Sequence, residues 1–267
     1  MARARVVSGL GDTLRPVTGP GQVARVRVPV CGLWLTPSSP RPIDAAMLVD
    51  DPDHDGWLRA MDAAIDPMGG RIGLEGRMSS QVLAGELVRT HERAGDWVFV
   101  TCSQQPSHKN PWGYPGYLRI AHLDLSDLPV DADEPMSASP LVARSTFIQQ
   151  IRGHIGEPYL VGGLSETGLD GAGLVHLSLR ELGIRYPRDC ADQQQATDAC
   201  PQGQERAGDL VFFARPGCAP QHVGVVTDSM DSLHIVHVLE GGRVLEEPVP
   251  AQLQQQKRTV GRVRVLR

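Results

Sequence analysis

The first half of the chain alternates short apolar runs with turn residues, a pattern typical of β-strands joined by tight turns. Strands are predicted over residues 23–28, 30–35, 81–90, 97–101 and 117–121. Between the second and third of these strands, four apolar residues recur at helical spacing: Trp57, Leu58, Met61 and Ile65. The pattern therefore predicts a small β-barrel over residues 22–125, interrupted by a helical insertion and preceded by an N-terminal extension at residues 1–21.

The second half of the chain starts with helical periodicity and ends in strands. A helix carrying Phe147, Ile148 and Ile151 is followed by an amphipathic helix from about residue 174 to 182, which stops at Gly183, a favoured C-cap residue. Strands are then predicted over residues 209–214, 222–227, 234–239, 243–249 and 259–266. Helices followed by consecutive strands predict an α+β fold and not a doubly wound parallel sheet.

Length and composition agree with two domains. The chain has 267 residues, of which 41% are hydrophobic, enough for two separate cores. The stretch at residues 126–141 is rich in Asp, Pro and Ser and predicts a linker, so the second domain covers residues 142–267. The five cysteines are odd in number and contain no C-x-x-C pair, so neither a disulfide framework nor a metal site is predicted, and no cofactor is expected.

Charge and hydropathy exclude several classes of partner. A net charge of -5 and a pI near 6.0 argue against a nucleic-acid partner. The N-terminus has no apolar run of signal-peptide length, and no stretch of about 18 apolar residues occurs, so a cytoplasmic protein without a membrane partner is expected. The sequence gives no indication of the oligomeric state.

The candidate chemistry lies at the start of the second helix. A helix N-terminus stabilises a nearby anion and so lowers the pKa of a thiol placed there. Papain-type catalysis uses such a thiol together with a histidine base and a polar group that orients the imidazole. His222 begins one predicted strand and His237 lies on the next, but the residue at the helix start is Gly171, which offers no nucleophile.

Four motifs in the second half resemble the NlpC-type cell-wall cysteine peptidases. They are Pro158-Tyr159 with Gly162-Gly163, and the stretches at residues 170–175, 208–213 and 222–225. Upstream stretches resemble the bacterial SH3 region of the YkfC-like branch, at residues 37–44, 81–86, 95–97 and 113–117. The resemblance implies a papain-like domain preceded by a small SH3-like β-barrel. It also implies cleavage between γ-D-glutamate and a diamino acid in murein peptides that have a free N-terminal L-Ala.

The resemblance assigns roles by motif position. Gly171 stands at the place of the nucleophile cysteine, with His222 as the base and His237 as its partner. The implied substrate-binding residues are Tyr114, Tyr159, Asp170, Asp189 and Cys190. Tyr114 would close the pocket around the amino end of the peptide, and the two aspartates would face its ammonium group. Alternatively, the aspartates are a helix cap and a turn residue.

The chain departs from the family pattern at four positions, with Gly171 for the cysteine, Ala172 and Cys190 for serines and Val161 for a tryptophan. The leading hypothesis is therefore a catalytically inactive homologue, a pseudoenzyme, that binds murein-derived peptides such as L-Ala-γ-D-Glu-diamino acid. One alternative is an active γ-D-glutamyl-L-diamino acid endopeptidase that uses an unrecognised route, with Cys190 as a conceivable nucleophile, or whose cysteine was replaced artificially. Another is a structural module that binds a protein partner.

Overall fold

A computed structural model describes residues 22–128, 139–228 and 232–267 of the protein. The predicted N-terminal extension lies outside the described residues, as do residues 129–138 of the predicted linker. Within the described residues, no helix is both long enough and apolar enough to cross a membrane.

Seven antiparallel strands form the first sheet in the order β3-β2-β6-β5-β4-β1-β7. Their bounds are β1 Gln22–Val26, β2 Val30–Trp34, β3 Met78–Leu83, β4 Leu87–Ala94, β5 Trp97–Cys102, β6 Tyr114–Arg119 and β7 Leu123–Leu128. The prediction of one strand over residues 81–90 is wrong because the chain turns between β3 and β4. Gly85 occupies the turn with a φ of 82°, a left-handed conformation that favours glycine. The first half is thus β-rich, and its SH3-like closure stays a prediction.

The insertion between β2 and β3 contains helix α1, His54–Asp62, and three short 3-10 turns. Trp57, Leu58 and Met61 are buried on one face of α1, which confirms the predicted helix. Ile65 lies beyond the end of this helix and is fully exposed, so its predicted place on the apolar face is wrong. The buried face of α1 packs beside Trp34 and Leu160, and so joins the first half to the second.

The second half contains helices and a six-stranded antiparallel sheet in the order β10-β15-β11-β12-β13-β14. The helices are α2 Arg144–Arg152, α3 Gly171–Glu181, α4 Cys190–Gln195 and α5 Ala251–Gln254. A small hairpin precedes α3, with strands β8 Leu164–Ser165 and β9 Gly168–Leu169. The sheet strands are β10 Thr197–Cys200, β11 Leu210–Ala214, β12 His222–Asp228, β13 His234–Val238, β14 Val244–Pro248 and β15 Lys257–Val263. Helices α2 and α3 and strands β11 to β15 match the predicted α+β order, whereas β10, α4, α5 and the hairpin are not predicted.

Close backbone contact fixes the start of α3 against the preceding loop. A Cβ added to Gly173 would lie 2.2 Å from the carbonyl oxygen of Gly163, a distance that no side chain allows. Leu174 and Val175 follow on the buried face of α3 and pack against the second sheet through residues such as Val223. The first turn of α3 is therefore held between the loop and β12.

The two halves also share buried hydrogen bonds. Gln81 on β3 accepts a hydrogen bond from the backbone N–H of Leu164 at 2.8 Å. The hydroxyl of Ser80 accepts one from Nε of Arg188 at 3.0 Å. On the same side of the molecule, Glu86 pairs with Arg180 of α3. These contacts hold β3 and the turn after it against the second half of the chain.

Candidate functional site

A cavity of about 830 Å³ opens at the N-terminus of α3, in the region where the sequence places the candidate chemistry. Six of the eight predicted site residues line it: Tyr159, Asp170, Gly171, Asp189, Cys190 and His222. The other two, Tyr114 and His237, are buried and each contacts one of the lining residues. The structure thus brings all the predicted site residues to one cleft, while their functional roles stay predictions.

Gly171 is the first residue of α3 and faces the imidazole of His222. A Cβ built on Gly171 would lie 3.6 Å from Nδ1 of His222 and 3.5 Å from the carbonyl oxygen of Val223. Both distances are ordinary van der Waals contacts, and Gly171 is not in the left-handed backbone region. A Cβ would therefore fit at this position, beside the ring nitrogen of His222.

His222 begins a chain of hydrogen bonds that runs through His237 to Glu247. Nε2 of His222 lies 3.0 Å from Nδ1 of His237, and Nε2 of His237 lies 3.1 Å from Oε1 of Glu247. Because a carboxylate only accepts, His237 donates from Nε2 and accepts at Nδ1, where His222 donates from its own Nε2. This assignment leaves the lone pair on Nδ1 of His222 free and directed at Gly171, as a general base requires.

His222 and His237 both have lowered pKa values and are neutral at pH 7. Burial, with a smaller contribution from the neighbouring His237, lowers the pKa of His222 to about 3. Burial also lowers the pKa of His237, against the opposing effect of its hydrogen bond to Glu247. The two predicted histidines are thus in contact and unprotonated, and His222 faces a glycine.

Asp170 caps α3 and is paired with a buried arginine. Its Oδ1 accepts from the N–H of Gly173 at 2.6 Å, and its Oδ2 accepts from the N–H of Gly162 at 3.0 Å. The guanidinium of Arg188 donates to both oxygens, at 3.0 and 2.6 Å, and its side chain is only 2% exposed. Asp170 is thus a helix cap, and it also lines the cavity, so the cap does not exclude the predicted place in the pocket. Its charge is matched by a cation of the same chain, an arrangement that the sequence analysis did not foresee.

Asp189 is the second predicted carboxylate, and it contacts both Tyr114 and Lys109. The hydroxyl of Tyr114 donates to Oδ1 of Asp189 at 2.9 Å, and the ammonium of Lys109 lies 2.7 Å from Oδ2. The same ammonium donates to the Tyr114 hydroxyl at 2.5 Å. Burial, followed by the charge of Asp189, raises the pKa of Tyr114 well above its usual range, so the phenol keeps its proton.

Cys190 starts the short helix α4 and lines the cleft, as predicted, but it is 9% exposed. Burial, together with the charges of Asp170 and Asp189, raises the pKa of its thiol above the usual range. Because the thiolate is the reactive form, this environment is the opposite of the one that activates a cysteine. Burial and the neighbouring carboxylates therefore argue against Cys190 as a relocated nucleophile.

Three residues of the site were missed by sequence reasoning: Arg188, Lys109 and Glu247. Arg188 directly precedes Asp189, and Lys109 lies five positions before Tyr114, so both are close to predicted residues. The signal for Glu247 is alternation within a predicted strand, because β14 pairs with β13 and places Glu247 diagonally opposite His237. Within the described ranges, no group of three or more His, Cys, Asp or Glu side chains could hold a metal ion.

Comparison with known proteins extends this description. Residues 156–263 match the model of the NlpC/P60 family. The γ-D-glutamyl-L-lysine dipeptidyl-peptidase of Bacillus subtilis (strain 168) is 28% identical over 263 residues, which cover 77% of this chain and 87% of that protein. A protein of the same name from Bacillus cereus is 24% identical over 256 residues, covering 72% of this chain and 75% of that protein.

A crystal structure of an NlpC/P60 family protein from Bacillus cereus ATCC 10987 has a similar fold. It superposes with a TM-score of 0.77 at 21% sequence identity, and the match covers 90% of this chain and 99% of that chain. At this identity the likeness concerns the fold alone. Because it extends well beyond residues 156–263, the β-rich first half is part of the shared architecture.

Proposed function

Because residues 156–263 form an NlpC/P60 family domain, we propose that the protein binds murein-derived peptides in the cleft at α3 without cleaving them. The observation that carries the proposal is the pairing of Gly171 with Nδ1 of His222. The base chain is complete, but the position that it faces has no atom able to attack a carbonyl group. Covalent catalysis of the papain type requires that atom.

The class of ligand is inferred from the relatives and from the cleft wall. The homologous dipeptidyl-peptidases are named for the bond between γ-D-glutamate and L-lysine, and we propose peptides of the type L-Ala-γ-D-Glu-diamino acid for this chain. Such peptides carry free carboxylates. Arg215 lines the cleft, donates to the side chain of Gln221 and makes no ion pair within the described residues, so it is available to a ligand carboxylate.

Calorimetry and chromatography on the same samples test the proposal. The peptide L-Ala-γ-D-Glu-L-Lys and its N-acetylated form are titrated separately into the protein at up to millimolar concentration, and each mixture is then analysed for cleavage products. We expect heat of binding from at least one peptide and no product. The variant Gly171→Leu should abolish the heat because its side chain enters the cleft. Leu125→Ser, at an exposed residue that does not line the cavity, is the control.

Two results would contradict the proposal. Absence of heat with both peptides at millimolar concentration would exclude binding of this ligand class. Formation of product by the wild type, lost in His222→Ala, would establish an active hydrolase that uses another nucleophile. Product formation that is unchanged in His222→Ala would indicate a contaminating peptidase, and the assay would be repeated on repurified protein.

A further inference from the structure

The acidic groups of the cleft wall are the natural partners for the amino end of a peptide. Of the acidic residues that the structure describes, three line the cavity: Asp170, Asp189 and Glu240. Asp170 is held by two hydrogen bonds from Arg188, whose burial prevents it from moving aside for a ligand. Glu240 is exposed at the rim. Asp189, which has the hydroxyl of Tyr114 beside it, is therefore the carboxylate best placed to accept hydrogen bonds from a ligand ammonium group.

The chain places an ammonium of its own on this acceptor. Nζ of Lys109 lies 2.7 Å from Oδ2 of Asp189 and 2.5 Å from the hydroxyl oxygen of Tyr114. It also lies 4.3 Å from the centre of the Tyr114 ring, within the range of a cation–π contact. A carboxylate, a hydroxyl and an aromatic face are together what a protein offers to a bound amine.

We infer that Lys109 is a specificity-determining residue that occupies the amine subsite formed by Asp189 and Tyr114. A ligand ammonium cannot share one carboxylate with the Lys109 ammonium without repulsion between the two positive charges. The cleft therefore favours peptides whose amino end is acylated, and a free-amine peptide must first displace Lys109. This inference rests on the proposed function, because it concerns which murein peptides the same cleft selects.

The exposure of the pair sets the size of the effect. The Lys109 side chain is 36% exposed and that of Asp189 is 27% exposed, so the pair is partly hydrated and weaker than a buried one. The Lys109 side chain can consequently move into solvent. It therefore competes with a ligand ammonium for the subsite and does not block it permanently. The chain has only two lysines, Lys109 and Lys257, and Lys257 is an exposed residue of β15 that serves as a matched control.

Calorimetry with two peptides tests the inference directly. L-Ala-γ-D-Glu-L-Lys and its N-acetylated form are titrated into the wild type, Lys109→Met, Lys109→Arg and Lys257→Met. In the wild type we expect the free-amine peptide to bind no more tightly than the acetylated one. In Lys109→Met the affinity for the free-amine peptide should rise about tenfold, while that for the acetylated peptide stays within a factor of about three. Lys109→Arg and Lys257→Met should resemble the wild type.

An equal ratio of the two affinities in the wild type and in folded Lys109→Met would overturn the inference. A second measurement needs no peptide. Reductive methylation with isotope-labelled formaldehyde, followed by NMR, reports the reactivity of each of the two lysines. Lys109 should react more slowly than Lys257 and should lose this protection in Asp189→Asn.

The two measurements separate the inference from the proposed function. If no variant binds either peptide while Lys109 stays protected, the proposed ligand class is wrong but the occupied subsite is supported. If Lys109 and Lys257 react at the same rate, the ammonium does not hold Asp189 and the inference fails, whatever the peptides do. Circular dichroism of each variant verifies that the fold is retained.

Discussion

The histidine side of the cleft and the carboxylate side differ in what they lack. On the histidine side the series of hydrogen bonds from His222 to Glu247 is complete, and the lone pair of His222 faces Gly171, a residue without a side chain. On the carboxylate side every group that sequence analysis named is present, but Asp170 and Asp189 are each paired with a cation of the same chain. The histidine side faces a position without a side chain, whereas each carboxylate of the other side already has a cation as its partner.

This difference distinguishes two properties of the cleft: whether it can cleave a peptide, and which peptides it can bind. Under the proposed function, glycine at position 171 prevents the covalent step but removes none of the hydrogen bonds around it, so one introduced side chain should restore that step. An added cation on the subsite changes which ligands fit without removing any group. The comparison therefore predicts that the histidine side responds to one restored side chain, and that the carboxylate side responds to one removed charge.

The largest expected effect comes from restoring the nucleophile with Gly171→Cys and Ala172→Ser. A Cβ at position 171 has space beside Nδ1 of His222, and the position is the first of α3, where the helix N-terminus should stabilise a thiolate. Loss of the nucleophile in comparable enzymes lowers kcat by roughly a millionfold, so partial repair should raise the rate at least about a thousandfold above the wild type. Chromatography of both peptides measures the product.

The repair has a matched control that changes the same positions without sulfur. Gly171→Ala with Ala172→Ser fills the space beside His222 and should stay inactive. Addition of His222→Ala to the repaired variant should remove the gained activity. A repaired variant that folds but cleaves neither peptide, even with Lys109→Met, would mean that the binding surface has diverged together with the nucleophile.

The second prediction compares the two ion pairs of the carboxylate side. Arg188→Met leaves the partly buried carboxylate of Asp170 without its cation and should lower the free energy of unfolding by about 3–5 kcal/mol. Lys109→Met breaks a partly hydrated pair and should lower it by less than about 1 kcal/mol. Urea unfolding followed by circular dichroism measures both. A loss below about 1 kcal/mol in Arg188→Met would show that the buried pair contributes little to stability. Arg188→Met with Asp170→Asn should regain part of the stability.

Much of the second half was predictable because its signals are local. The apolar spacing of Phe147, Ile148 and Ile151 marks α2, and Gly183, with a φ of 75°, directly follows Leu182, the C-cap residue of α3. The prediction of a single strand over residues 81–90 is wrong because the apolar pattern continues through a turn, and Gly85 is the local signal of that turn. Helices α4 and α5 are too short for periodicity to reveal them.

The site was predictable only in part for a different reason. The order of Gly171, His222 and His237 along the chain indicated one cleft, and the structure brings them together. The partners of the carboxylates come from contacts between distant segments, such as the 75 residues that separate Tyr114 from Asp189. Spacing along the chain carries no information about such a contact, so neither Lys109 nor Arg188 could be assigned a role from the sequence.

The third prediction uses two histidines whose pKa values move in opposite directions. Burial lowers the pKa of His222 to about 3, so the unfolded chain takes up a proton below about pH 6.5 while the folded protein does not. The stability that depends on neutral His222 is therefore lost as the pH falls from about 6.5 towards 3. His222→Gln should reduce the loss of unfolding free energy between pH 6 and 4 by about 2 kcal/mol.

His154 provides the opposite sign and so serves as the control for the pH experiment. Burial alone would lower its pKa, but the hydrogen bonds that His154 donates to Glu157 and Glu181 outweigh burial and raise it to about 9. Its stabilising effect is complete below about pH 6.5 and is lost as the pH rises through 9. His154→Gln should flatten the stability curve between pH 7 and 9 by about 2 kcal/mol. Urea unfolding across the pH range should thus show changes on opposite flanks, and changes on the same flank would contradict the assignment.

The smallest effect concerns Glu247, the last member of the histidine chain. Its carboxylate accepts from His237 and thereby keeps the lone pair of His222 directed at position 171. Glu247 is 36% exposed and acts through an intervening imidazole, so Glu247→Gln in the repaired variant should lower kcat only about tenfold, equivalent to about 1.4 kcal/mol, with KM unchanged. Glu247→Asp should retain more activity because it keeps the acceptor charge. An unchanged kcat in Glu247→Gln would show that the two histidines alone hold the base in place.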